Sequence, residues 1–92
     1  MKTFGEFIKL KREMLGIPQR KIAAQLDIDT STLSKIERNE RKATASMLET
    51  FAFELNLELE TIEYVFLKDS IYSEFDNLKF LKENLTKISK EL

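Results

Sequence analysis

Apolar residues recur along the chain at intervals of three and four positions, and strong helix-forming residues fill most of the positions between them. Only two Gly and one Pro interrupt this pattern. Such spacing gathers the apolar side chains on one face of an α-helix. The pattern therefore predicts an all-α protein.

Capping residues mark where the first helix begins and ends. Thr3 and Glu6 have the spacing of a capping box, and the helix that they open is expected to run to about Leu15. Gly16 is placed to end it. Its predicted buried side consists of Phe4, Phe7, Ile8, Met14 and Leu15.

Similar signals predict four more helices. Pro18 starts the second helix, which runs to about Leu26, at a position where its missing N–H group costs nothing. Asp29 is placed to cap the third helix, from Thr30 to Arg38, and Asn39 can adopt the left-handed geometry that ends it. The remaining two predicted helices run from a Thr44 cap to Leu55, ended by Asn56, and from about Glu58 to Leu67.

The segment from about residue 69 to residue 92 is predicted to form one long amphipathic helix, because its apolar residues recur every 3.5 positions on average. The stripe can fold back on its own domain or pair with a second copy of the chain. Residues 1–67 are accordingly interpreted as one domain and residues 68–92 as a dimerisation element. The predicted dimer-interface residues are Ile71, Phe75, Leu78, Leu81, Leu85 and Ile88.

Composition argues against several classes of function. The chain contains no Cys and no His, so it lacks disulfides, thiolate metal sites and the commonest general base. It shows no Gly-rich phosphate loop and no run of about 20 apolar residues. We therefore expect a cytoplasmic protein that is not an enzyme, takes no metal or cofactor, shows no small-molecule site and does not enter membranes.

Charge is unevenly distributed along the chain. Residues 1–42 carry ten Lys/Arg and six Asp/Glu, whereas residues 43–92 carry five Lys and ten Asp/Glu. The first half therefore has a net charge of +4 and the second half one of −5. A basic half of this kind is typical of a surface that meets a polyanion.

The predicted third helix has an unusual outer face, made of small and polar residues together with one lysine. A helix that enters the DNA major groove needs such a slim face with hydrogen-bonding groups. The alternative is an ordinary solvated face, although such faces favour long Glu and Lys side chains. The candidate base-reading residues are Thr30, Ser31, Ser34 and Lys35, and the candidate phosphate-binding residues are Gln19, Arg20, Arg38, Arg41 and Lys42.

The stretch PQRKIAAQLDIDTSTLSKIERNER resembles the helix-turn-helix of the Cro/repressor-type (XRE) family. The resemblance covers roughly residues 4–67 and implies a five-helix, lambda-repressor-like DNA-binding domain, here followed by the additional C-terminal helix. It assigns base reading to the same four residues, adds Asn39 to the phosphate contacts, and implies a partly buried salt bridge between Arg12 and Glu37. Asp27 and Asn39 replace two glycines usual in the family.

These features together predict a transcriptional regulator that binds a palindromic operator in double-stranded DNA as a homodimer. Repression or autoregulation is the commoner mode of the family. The IERNER segment and the short chain resemble controller proteins of restriction–modification systems. The alternative is an antitoxin or another interaction module whose C-terminal helix binds a partner protein.

Overall fold

The structure is a computed structural model that describes residues 2–92 and is all-α over that range, as predicted. A short 3₁₀ turn, Ala45–Met47, precedes the fourth helix. The six α-helices are α1 (Phe4–Met14), α2 (Gln19–Leu26), α3 (Thr30–Glu37), α4 (Leu48–Glu54), α5 (Leu59–Phe75) and α6 (Leu81–Glu91).

Most predicted helix boundaries are confirmed. The hydroxyl of Thr3 caps α1 by accepting a hydrogen bond from the Glu6 N–H group. Pro18 lies immediately before α2 with an extended backbone. Left-handed φ angles follow four helices, at Gly16 (69°), Asp27 (57°), Asn39 (63°) and Asn56 (55°).

The core is built by side chains from α1 to α5. Phe4 connects α1 with α4 and α5, because its ring meets those of Phe51 and Phe66 edge-on, with centroids 5.8 and 5.5 Å apart. Gly5 lets α1 approach the end of α3, since a Cβ atom on Gly5 would collide with the carbonyl oxygen of Ile36. This contact fixes the position of α3 on the domain.

The prediction that Met14 and Leu15 are buried is wrong, since they are 68% and 49% exposed. Met14 lies about 100° around the helix from the buried Phe4 and Ile8, at 100° per residue. Leu15 follows the last residue of α1, where the helix has passed the core.

The predicted start of the fourth helix is also wrong. Thr44 bonds the hydroxyl of Ser46 at 2.9 Å and caps no backbone N–H group. The Met47 N–H bonds the Thr44 carbonyl at 3.0 Å, three residues back, so the chain first forms a 3₁₀ turn. The α-helix begins only at Leu48.

The predicted boundary between the last two helices is wrong as well. Helix α5 continues through residues 67 and 68 to Phe75, and α6 begins only at Leu81. The extension is tied to the domain, because the Asp69 carboxylate accepts a hydrogen bond from the Phe4 N–H at 3.1 Å. The break falls after Asp76, where a turn bonds the Leu78 N–H to the Phe75 carbonyl at 3.0 Å.

Candidate nucleic-acid interface

The turn between α2 and α3 is fixed by two aspartates. Asp27 takes the left-handed geometry, and Ile28 is half-buried against the core. Asp29 caps α3 by accepting the Thr32 N–H at 2.8 Å, and the Ser31 hydroxyl donates to the same oxygen at 2.8 Å. Hydrogen bonding from Thr32, and then from Ser31, lowers the pKa of Asp29 to about 2.

The outer face of α3 carries the four candidate base readers. Thr30, Ser31 and Lys35 are exposed, whereas Ser34 is half-buried. Ser31, Ser34 and Lys35 share one face, because they stand at positions i, i+3 and i+4. The opposite side of the helix, which includes Leu33, is buried in the core. The helix is therefore held from beneath and presents short polar side chains to the outside.

A hydrogen-bonded network lies under this face. Glu37, which is 3% exposed, accepts bonds from Arg12 Nε at 2.7 Å and Nη2 at 3.0 Å. The remaining Arg12 amino group donates to the Ile17 carbonyl at 2.9 Å. Gln19 Nε2 donates to the Glu37 carboxylate at 2.9 Å, and Ser34 Oγ donates to Gln19 Oε1 at 3.1 Å. The Glu37 hydrogen bond raises the pKa of Arg12.

Two candidate phosphate-binding cations are paired with carboxylates. Arg38 donates to Glu40 at 2.8 and 3.2 Å, which raises the pKa of Arg38 and lowers that of Glu40. Lys42 pairs with Glu74, on the extension of α5. Neither carboxylate was among the site residues predicted from the sequence. Glu40 follows Arg38 by two positions and could have been suspected, but nothing in the sequence brings Glu74 to Lys42.

The other candidate phosphate-binding residues surround the same end of the domain. Asn39 Nδ2 donates to the Thr3 hydroxyl at 2.6 Å, which ties the loop after α3 to the start of α1. Arg41, in this loop, and Arg20, in the first turn of α2, are exposed. Gln19 opens α2 and uses one of its two amide hydrogens on the buried network.

The six predicted dimer-interface residues fall into two groups. Three of them line a groove of about 690 Å³ between α5 and α6: Ile71, Leu81 and Leu85. The other three are exposed outside this groove: Phe75, Leu78 and Ile88. The predicted continuous stripe does not form, because residues 76–80 separate the two helices that carry it.

Within residues 2–92, no helix is both long enough and apolar enough to cross a membrane. Comparison with curated proteins gave no match, and comparison with solved structures gave none either. The helix-turn-helix family model matches residues 8–62, more than half of the chain. The α2–turn–α3 unit thus defines a DNA-binding module.

The chain belongs to the helix-turn-helix family of the Cro/repressor (XRE) type. It is a DNA-binding regulator of transcription, and its family is a regulatory one rather than a family of enzymes. The lambda-repressor-like fold predicted from the sequence is confirmed.

Proposed function

We propose that the protein binds a palindromic operator as a homodimer and represses transcription, including that of its own gene. The observation that carries this proposal is the outer face of α3, where exposed Thr30, Ser31 and Lys35 stand on a helix anchored by buried Leu33. Short hydroxyl side chains allow close approach to the major groove, and Lys35 can reach guanine O6 and N7. The cations around the end of α3 would then contact the phosphates.

The homodimer is supported by the exposed apolar residues of the C-terminal segment. Phe75, Leu78 and Ile88 are each 44–54% exposed, and they lie on or between α5 and α6. Such a surface is stabilised when a second copy covers it. A two-fold dimer would place two α3 helices about 34 Å apart, on successive major grooves of one DNA face.

A selection of bound DNA from a random pool tests the operator. We expect an inverted repeat whose half-site centres lie about one helical turn apart. In gel-shift titrations at fixed salt, Ser31→Ala with Lys35→Ala should abolish preference for this operator while weak nonspecific binding remains. Unchanged operator affinity in the double variant would show that these side chains do not read bases.

The regulated genes are proposed from resemblance alone. The IERNER segment at residues 36–41 and the short chain support control of a restriction–modification system. Mapping the selected operator onto the source genome checks this point. Operators upstream of methyltransferase and endonuclease genes are expected.

A second candidate function rests on the same apolar surface. If a partner protein rather than a second copy covers α5 and α6, the chain is an antitoxin-like module. Sedimentation of the purified protein distinguishes the homodimer from the antitoxin-like module. A stable dimer at micromolar concentration supports the homodimer. A monomer whose operator affinity rises when a co-encoded protein is added supports the antitoxin-like module.

A further inference from the structure

The hydroxyl hydrogen of Ser31 is used in a hydrogen bond within the protein. Ser31 Oγ lies 2.8 Å from the Asp29 carboxylate, and an ionised carboxylate can only accept. Ser31 must therefore donate to Asp29, in a charge-assisted bond that is stronger than a neutral one. Its oxygen keeps lone pairs for an outside partner but has no hydrogen left to give.

The hydroxyl hydrogen of Ser34 is also used within the protein, in the buried network. The Glu37 carboxylate has no hydrogen, so the Gln19 atom that faces it at 2.9 Å is the amide nitrogen. The Gln19 oxygen consequently faces Ser34, whose Oγ lies 3.1 Å away and must be the donor. The Arg12–Glu37 pair thus fixes the direction of a relay that ends at the recognition surface.

We propose that Ser31 and Ser34 read operator bases as hydrogen-bond acceptors only, which selects the exocyclic amino group of adenine or cytosine. This inference rests on the proposed DNA-reading function and deepens it. In the major groove the amino groups are adenine N6 and cytosine N4, whereas guanine and thymine offer acceptors. Each serine therefore distinguishes A·T from T·A and C·G from G·C, because the amino group changes strand when the pair is reversed.

The test begins with the selected operator and with Ser31→Ala and Ser34→Ala, which identify the base pair that each serine reads. Base analogues are then placed at those pairs. Purine for adenine, or 2-pyrimidinone for cytosine, removes the amino group. The matched control removes the carbonyl of the partner base instead: 5-methyl-2-pyrimidinone for thymine, or 2-aminopurine for guanine. Affinities are measured by gel shift at one salt concentration, with wild-type protein and with each alanine variant.

Amino-group removal should weaken wild-type binding about two- to tenfold, the effect of one hydrogen bond. The same change should leave the matching alanine variant unaffected, which excludes a mere change in base-pair stability. Carbonyl removal should change wild-type affinity by less than about twofold. Sensitivity to the carbonyl but not to the amino group would overturn the inference while leaving DNA binding intact. A wild-type protein that selects no operator would overturn the proposed function as well.

A pair of glycine variants tests the cause of the polarity. Asp29→Gly frees the Ser31 hydroxyl, and glycine remains an adequate N-cap. Asp27→Gly removes the same charge two residues away, at a φ of 57° that suits glycine. Because the freed hydroxyl can donate as well as accept, Asp29→Gly should bind the operator with the Ser31 base pair reversed nearly as well as the original operator. It should keep its preference at the Ser34 pair, and Asp27→Gly should keep both preferences. An unaltered preference for the original over the reversed Ser31 pair in a folded Asp29→Gly variant contradicts the inference, and the analogue measurement on wild-type protein decides it if that variant does not fold.

Discussion

Arg12 and Glu37 form a two-bond ion pair, at 2.7 and 3.0 Å, between α1 and α3. Glu37 is 3% exposed, so its charge depends on Arg12 and on the Gln19 amide for compensation. The pair joins α1 to α3 at the point where α3 ends. The ion pair therefore holds α3 against α1.

Arg12→Met should therefore destabilise the protein by about 3 kcal/mol, because it leaves the Glu37 carboxylate buried without its cation. The double variant Arg12→Met/Glu37→Leu should lose less than Arg12→Met alone, since no charge then remains buried. Urea denaturation measures both. Arg38→Met is the matched control, because it breaks the exposed pair with Glu40 and should leave the unfolding midpoint nearly unchanged. Equal losses in the Arg12 and Arg38 variants would contradict the interpretation.

If Lys42 and Arg38 contact phosphates as proposed, we expect Glu74 and Glu40 to compete with DNA for these two cations. Lys42 and Arg38 are paired with these carboxylates in the free protein, so a phosphate must displace an anion that is already present. Glu74→Gln and Glu40→Gln should each raise the affinity for any DNA sequence about two- to fivefold at about 0.1 M salt. The gain should shrink at high salt, where exposed charges are screened.

Glu63→Gln is the control for net charge in this experiment. It makes the same change on α5, eleven residues or about 16 Å before Glu74. That distance exceeds the Debye length of about 10 Å at 0.1 M salt, so the variant should bind DNA much as the wild type does. If all three variants gain equally, net charge rather than local competition is responsible.

Phe75→Ser and Leu78→Ser test the proposed dimer surface. Both residues are exposed and lie outside the groove between α5 and α6, so neither supports the core of the monomer. Each change should weaken dimerisation about tenfold or more, as measured by sedimentation equilibrium. Phe53→Ser is the control, because Phe53 is 82% exposed on α4 and lies outside the predicted interface. A full loss of dimer in the control would place the interface on α4 instead.

Local signals made much of the fold predictable. Thr3, Asp29 and Asn39 determine helix ends through bonds or angles within a few residues, and these predictions are confirmed. The end of α5 was missed because Leu78, in the turn, preserves the spacing of the apolar stripe across the break. Only Asp76 and Asn77, which are poor helix formers, mark that position.

The candidate site was predictable in its residue types but not in its hydrogen-bond directions. Thr30, Ser31 and Lys35 could be assigned to an outer face because helical periodicity alone places them there. The relay from Glu37 to Ser34 could not, since it joins side chains 18 and 15 residues apart through Gln19. Contacts of this kind depend on how helices pack, which periodicity does not specify.

The stability that the Asp29 cap gives to the start of α3 depends on pH in the acid range. Its pKa is about 2 in the folded protein, below the ordinary value of 3.8, because Thr32 and Ser31 bond the ionised carboxylate. A depressed pKa contributes stability that is fully present above pH 3.8 and is lost as the pH falls through about 2. NMR titration of the Asp29 carboxyl carbon should therefore show its midpoint near pH 2.

Asp29→Asn is the matched variant, because asparagine caps a helix as well as aspartate does but does not titrate. The stability of wild type relative to Asp29→Asn should be constant above pH 4 and should fall between pH 4 and pH 2, as measured by urea denaturation at each pH. A difference that stays constant through this range, or a carboxyl midpoint near 3.8, would show that the cap does not stabilise the ionised form.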